Sequence, residues 1–424
     1  MTLPAAVSAP LNFTSANPHA LAVILEASET RSIIASRDIF DLSGTKLWAR
    51  NQPVSQALQR KLMDRRLRHP LEACLHAEDG ITPSSLVQAL DQLLQRDTSL
   101  APALRPYADS LIYAAQHLPL HPVAQLLLTA GQAARPSAFD HAVQAMALCG
   151  ALAAAQGAET RELRVAMLAG LLHDIGEMYI APEHGEADAE RTMDFRSYQH
   201  LVVHPHVGRL LLEQLTNYPP EVSRAVAEHH EHLDGSGYPQ RLAGREVSPL
   251  GRLLALAEGA LCALQAPGAT LARATVALRL VPQEFDVTLL GPLADAARRE
   301  PALRAHLPLP QIRQRLERIQ GFLEAAEQEA ASVKAGAESG GLRDAMSLAQ
   351  HLLRRLHTGW IASGMWSAGN VQEAEAPEVE AVEEEVLHRL AGIQRAVRLR
   401  AGELPSGDAL RLDGFCAALQ ACAA

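Results

Sequence analysis

The stretch from His229 to Pro239, HHEHLDGSGYP, constrains this chain more than any other. Two adjacent imidazoles and a carboxylate close an apolar-faced helix, and Asp-Gly-Ser-Gly then imposes a tight turn that glycine makes without strain. Imidazole is the commonest protein metal ligand. A helix that ends in paired histidines at such a turn points to a metal site with a shaped lip, and Asp234, Gly235, Gly237, Tyr238 and Pro239 are the lip residues. The pair alone is a weak signal, because a lone histidine on an apolar helix is ordinarily a hydrogen-bonded core residue. The reading therefore depends on ligands delivered by other elements.

Successive helical patterns deliver them. Ser137-Ala-Phe-Asp140 resembles a capping box, with Asp in place of the usual Glu, for a nearly all-apolar helix running to Gly157, and His141 lies in its first turn. A second helix, Thr160 to about Ile175, carries Leu163, Met167, Leu171 and Asp174 at helical intervals and closes on Gly176 as its C′ residue, which places His173 and Asp174 at its end. His204-Pro205 opens a third helix through proline at its first position. Pro219-Pro220 opens a fourth, on which Val222, Ala225, Val226 and His229 share a face. In the helix after Ser248-Pro249, Glu258 falls on the face of Leu254, Leu261 and Cys262, and a buried acid needs a partner. His184, His200, His206 and His232 have no such placement and read as surface residues.

His141, His173, Asp174, His204, His229, His230 and Glu258 are too many inward-facing nitrogen and oxygen ligands for core filler and too many for one ion. Without thiolate they suit iron, manganese or zinc. Two ions bridged by Asp174 account for the number: His141, His173, Asp174 and Glu258 on one, Asp174, His204, His229 and His230 on the other. Two such metals lower the pKa of a bridging water and clamp the non-bridging oxygens of a phosphodiester.

The rest of the chain frames this site. Hydrophobic residues make up 48% and aromatics only 4% of the 424 residues, and the alanine and leucine that supply most of the apolar content favour helices. The reading is a mainly α chain in several parts: a mobile tail over 1–18, a small β-containing N-terminal module over 19–83 with a hairpin around Leu42-Ser43-Gly44-Thr45, connecting helices over 84–134, a helical domain over 135–330 and a helical C-terminal extension over 331–424. In the module, Leu58, Leu62, Leu67 and Leu71 read as helical from near Ser55 onward. The acidic run Glu373 to Glu385 reads as a solvated helical face above one packing stripe of Val379, Val382, Val386, Ile393 and Val397, with a partner-binding helix as the alternative. A net charge of -10 argues against broad binding to nucleic acid or anionic lipid, and Lys46, Lys61 and Lys334 are the only lysines. The five cysteines show no CxxC spacing, which suggests a reducing compartment. No basic leader is visible at the N-terminus and no later segment approaches the roughly 18 to 20 apolar residues of a membrane span. A soluble, cytoplasmic chain without membrane or stable nucleic-acid contact is expected.

As a set, His173-Asp174-Ile175-Gly176, His204-Pro205-x-x-Gly208 and His229-His230-Glu231-x-x-Asp234-Gly235-Ser236-Gly237-Tyr238-Pro239 resemble the HD-GYP family, a bacterial branch of the HD phosphohydrolases, over about 137 to 265. The resemblance implies an HD-type helical bundle, a centre of two divalent metal ions, iron or manganese, on the seven positions named above, with His173 and Asp174 as the catalytic pair. It also implies a phosphodiesterase that hydrolyses cyclic di-GMP or a related cyclic dinucleotide through a metal-bridging hydroxide, in second-messenger signalling. The expected partners are the dinucleotide, a signalling protein on the C-terminal helices and a second copy of the chain. Three positions depart from the family pattern: Glu177 replaces the lysine that usually follows the HDIG segment, Glu258 replaces the last aspartate ligand, and Leu261 stands where a further aspartate is usual. These departures carry the alternatives, a member that binds nucleotide or protein without turnover, or an HD enzyme for another nucleotide.

Overall fold

The structure is a computed structural model and describes residues 13–180, 201–265, 269–301, 307–363 and 376–423. It is mainly α-helical with a few short strands, and it divides into two compact units. The first comprises Met1–Ala189, His200–Cys262 and Thr288–Pro292; the second comprises Glu190–Gln199, Ala263–Val287 and Leu293–Ala424.

In the first unit, ordered structure begins upstream of the expected boundary at 18. Phe13 is buried with its ring edge-on to Tyr179 at 5.9 Å, and the Asn17 side chain caps helix Pro18–Ala27 by accepting from the His19 and Ala20 amides. Residues 1–12 of the expected tail lie outside the described residues. Four short strands follow: β1 Ile33–Ala35, β2 Ile39–Phe40, β3 Lys46–Trp48 and β4 Leu75–Ala77. Strands β2 and β3 form the expected antiparallel hairpin, with Ile39 opposite Trp48. Strand β1 pairs instead with β4, Ile33 opposite Ala77, a partner too short to show a period in the sequence. The helix expected from Ser55 through Leu71 stops at Leu62, and Leu67 and Leu71 reach the core from beyond its end.

Helix Pro83–Gln95 buries Leu86, Leu90, Leu93 and Leu94, as their spacing predicts, behind a reciprocal Thr82–Ser85 capping box. The next long helix, Pro136–Ala155, starts one residue before the predicted Ser137 cap and makes no side-chain capping bond. Proline in its first position supplies the pre-set φ, and the amide it lacks is one that would have no partner within the helix. This helix has a mean hydropathy of 1.3 and, contrary to expectation, is long and apolar enough by composition to cross a membrane. In the fold 67% of that apolar window is buried inside the protein, which accounts for its apolar character on nearly every face.

Close backbone approach then sets the site. Helix Thr160–Leu172 packs on Pro136–Ala155 at Gly170, where a Cβ would collide with the Ala145 carbonyl. It ends at Leu172 rather than near Ile175, and a 3₁₀ turn, Ile175–Tyr179, follows. Gly176 is therefore not the helix-ending C′ residue that its position in the sequence suggested. It is a contact glycine: a Cβ there would strike the His204 carbonyl and the Gly208 amide, so its bare backbone lets helix His204–Leu215 come against the turn.

The second unit is helical: Leu271–Leu280, Leu309–Ala335, Gly340–Ala362, Ala376–Ala401 and Ser406–Ala423 pack around one core that includes Leu323, Leu353, Trp360, Val386 and Phe415. The domain boundary expected at 330 falls inside the continuous helix Leu309–Ala335, whose buried stripe runs through Ala330 to Val333. The valine stripe of the acidic segment is buried as read, and Glu378 and Glu384 are exposed as expected, but three further acids are not solvated. Glu380, Glu383 and Glu385 are also buried, paired with Arg273 at 3.7 Å, Arg315 at 3.3 Å and Arg389 at 2.6 Å. Glu373 lies outside the described residues.

Candidate metal centre

The fold brings the seven predicted ligands to one place in the first unit. His141 Nε2 lies 3.0 Å from Glu258 Oε2 and 3.1 Å from His173 Nε2, and His173 Nε2 lies 3.2 Å from the same Glu258 oxygen. On the other side His204 Nε2 faces His229 Nε2 at 2.9 Å, and His230 completes a second group. Within each group of three the ligand atoms all lie within 4.8 Å of one another. Asp174 stands between the groups. Its Oδ2 is 3.0 Å from His173 and 3.5 Å from His141, while its Oδ1 is 3.4 Å from His204 and 3.5 Å from His229.

The imidazoles are oriented by backbone carbonyls three residues earlier. His173 Nδ1 lies 2.7 Å from the Gly170 oxygen, His204 Nδ1 2.8 Å from that of Leu201, and His229 Nδ1 2.6 Å from that of Val226. A carbonyl only accepts, so each Nδ1 carries a proton and each Nε2 of a neutral ring is left with a lone pair. Two lone pairs at 2.9 Å across His204 and His229 repel unless a cation or an added proton lies between them. Asp174 Oδ1, aimed at the same pair, is buried and has no hydrogen-bond partner. Converging lone pairs, a carboxylate with one oxygen for each group, and second nitrogens held by carbonyls fit a metal-ligating set.

The proton affinities divide the centre. Burial works to lower His141, but Glu258 beside it outweighs burial and raises it to about 9. His173 is likewise raised despite burial, by Asp174 and Glu258. His229 is held well below the ordinary histidine range by burial and by the neighbouring His230. Burial works to raise the two acids, yet the imidazoles, His173 for Asp174 and His141 for Glu258, keep them ionised well below the usual carboxylate range.

The lip is built from its own hydrogen bonds. The Tyr238 ring stacks on His230 with centroids 4.5 Å apart, and its amide donates to the His230 carbonyl at 2.9 Å. Gly235 has φ +77°, a conformation that favours glycine, and Asp234 Oδ1 accepts from the Ser236 amide at 2.9 Å. A Cβ on Gly237 would collide with the His230 carbonyl, and the Tyr238–Pro239 peptide is cis. His232, read as a surface residue, is half-buried and bonds Ser236 Oγ through Nδ1 at 2.8 Å. His206 is also half-buried, and His184 and His200 lie outside the described residues.

Two acids that flank the histidine pair had no role assigned from sequence. Buried Glu228 accepts from the Ser248 amide at 2.8 Å and from Arg224 Nε at 2.7 Å, joining the end of helix Pro220–Glu228 to the residue before helix Pro249–Leu264, which carries Glu258. Glu231 accepts from the amides of Gln240, Arg241 and Leu242 at 2.6, 3.1 and 2.8 Å, and burial raises its carboxyl to about 7. Their signal in the sequence was an acid on each side of the pair, E-H-H-E.

Of the departures, Glu177 is 4% exposed in the turn after Asp174, and Leu261 is 2% exposed in the core. Residues 125–283 match the HD domain family. The chain is 33% identical over 143 residues to the cyclic di-GMP phosphodiesterase PA4108 of Pseudomonas aeruginosa, covering 34% of this chain and 33% of that protein. It is 28% identical over 136 residues to the 3'3'-cGAMP-specific phosphodiesterase 1 of Vibrio cholerae, covering 32% and 31% respectively. It is 31% identical over 112 residues to the cyclic di-GMP phosphodiesterase response regulator RpfG of Xanthomonas campestris pv. campestris, covering 26% and 29%. The chain spans about a third of the length of these curated relatives.

Proposed function

We propose that the HD domain matched over residues 125–283 is of the HD-GYP type and that the chain is a metal-dependent phosphohydrolase that opens a cyclic dinucleotide, cyclic di-GMP or a close relative. The observation that carries the reading is the pair of three-ligand groups facing the two oxygens of one carboxylate, Asp174. His141, His173 and Glu258 would hold one ion and His204, His229 and His230 the other, with Asp174 offering one oxygen to each group. Two cations there would lower the pKa of a water and neutralise the phosphodiester oxygens, which is the chemistry that in-line hydrolysis needs. The chain contributes the orientation. Backbone carbonyls lock three of the imidazoles, Glu228 and Glu231 fix the segment that bears His229 and His230, and Tyr238 covers His230 at the lip.

The names of the relatives support the substrate class, covering cyclic di-GMP and 3'3'-cGAMP. Protein purified without chelators is expected to hold two equivalents of iron or manganese by elemental analysis and to convert a cyclic dinucleotide to its linear product. Metal-loaded protein that yields no linear product from either dinucleotide sinks the enzyme reading. A second reading, binding without turnover, is favoured by the buried carboxylate at 177 and the leucine at 261. Under it, Glu177→Lys with Leu261→Asp raises turnover from nothing, and brisk turnover by the unmodified protein removes it.

A further inference from the structure

We propose that Arg135 is the anion contact of this centre, the guanidinium that receives a non-bridging oxygen of the substrate phosphate. The inference deepens the phosphohydrolase reading and rests on it for the identity of the substrate. It starts from a pocket of about 60 Å³ beside the metal ligands. Ala138 and Ala142, on either side of His141 along the helix, line it together with Asp174, Glu177 and Arg135. By volume it takes a few water-sized groups, the scale of phosphate oxygens rather than of a nucleobase.

Asp174 and Glu177 are the acids of this pocket, and a phosphodiester brings a further negative charge. Metals at the two ligand groups would offset Asp174. Among the described residues that line the pocket, Arg135 is the one cation. Among the described residues its side chain forms no hydrogen bond or ion pair with Glu177 or Asp174, and its Nη2 is buried with no hydrogen-bond partner. A buried guanidinium nitrogen without an acceptor is costly, and an arriving phosphate oxygen relieves that cost. Had Arg135 paired with Glu177, both would be spent on the fold. Left apart, the arginine keeps a planar fork of donors that matches phosphate oxygens, in a pocket whose other walls, Leu127, Leu128 and Phe139, lower the local dielectric. Arg135 is the residue immediately before helix Pro136–Ala155, so the helix that carries His141 also fixes the backbone from which the guanidinium reaches.

The test uses the full-length, metal-loaded protein and compares wild type with Arg135→Gln, Arg135→Ala and Arg135→Lys. Orthophosphate is titrated calorimetrically as the minimal anion, metal content is measured on the same samples, and steady-state kinetics with cyclic di-GMP follow. Arg135→Gln and Arg135→Ala are expected to weaken orthophosphate binding about tenfold or more at unchanged metal content. Arg135→Lys is expected to recover much of the loss as a point charge. Kinetic loss is expected in KM before kcat. Equal orthophosphate affinity in wild type and Arg135→Gln overturns the proposal, as does a wild type that binds no orthophosphate. If Arg135→Ala fails to fold, Arg135→Gln, which keeps most of the stem and the polarity, carries the comparison. Orthophosphate affinity that depends on Arg135 in a protein inert to cyclic dinucleotides supports the anion site and refutes the proposed substrate.

Discussion

One site in each unit of this protein buries acids, and the two sites do so in opposite ways. In the second unit buried acids meet arginine: Arg389 is shared by Glu284 and Glu385, Arg315 reaches Glu383, and Arg273 reaches Glu380. In the first unit Asp174 and Glu258 meet imidazoles whose lone pairs converge, and no arginine or lysine pairs with either acid among the described residues. The first arrangement is complete within the chain, because each negative charge has a permanent positive one beside it. The second is balanced only by cations from outside or by protons borrowed at the histidines. Burial and acidity alone thus do not distinguish a structural network from a metal centre; the kind of partner does.

Removing the shared carboxylate has the largest expected effect. Asp174→Asn keeps the volume but removes the charge that faces both groups, and metal content should fall from two equivalents toward none. Hydrolysis should drop by about a thousandfold or more, on the order of 4 kcal/mol of transition-state stabilisation. Retention of both metals would mean that the groups do not share Asp174.

The matching cut in the second unit is Arg389→Met. It leaves Glu284 and Glu385 without their guanidinium and should destabilise that unit by about 3 kcal/mol, read by denaturant unfolding. Metal content should not change, and chelator should have no effect on the unfolding of this unit. A metal loss in Arg389→Met would erase the distinction between the two arrangements.

The smallest effect is one of pH, and it separates the two halves of the metal centre. In the metal-free protein His141 titrates at about 9. Ligation needs the neutral ring, so metal entering its group must displace that proton. Apparent affinity there should climb as pH rises toward about 9 and then level off. The group of His229, whose pKa is already depressed, should show no such rise around neutrality. The same shift has a stability sign. A folded pKa above the ordinary 6.5 stabilises the metal-free fold below that value, and the contribution is lost as pH rises through about 9. Competition titrations with manganese near neutral and alkaline pH check both statements, and Glu258→Gln should flatten the first group's dependence.

The clustering of the candidate ligands was legible because helical spacing put them on inward faces and because histidine and acid are costly to bury without cause. The hairpin β2–β3 was legible from its turn chemistry. Partners far apart in sequence were not. The Tyr179 hydroxyl donates to Glu72 at 2.5 Å, and the Asn17 amide reaches the Tyr179 carbonyl at 3.3 Å, which ties the N-terminal module to the turn that follows Asp174. No local pattern marks either contact. The acidic run misled for the same reason: its arginines sit on other helices, so period and composition showed the charge and not its burial.

By itself the sequence determined the helical character, the ligand types and the tight lip after His230, because backbone propensity and side-chain chemistry are local properties. Tertiary structure decided which nitrogen of each imidazole faces inward and that Asp174 offers one oxygen to each group. It also decided that Gly176 is a point of contact and that Arg135 Nη2 is buried without a hydrogen-bond partner, on a pocket that Glu177 also lines. Each of these depends on the distance between atoms brought together from separate elements, which packing alone determines.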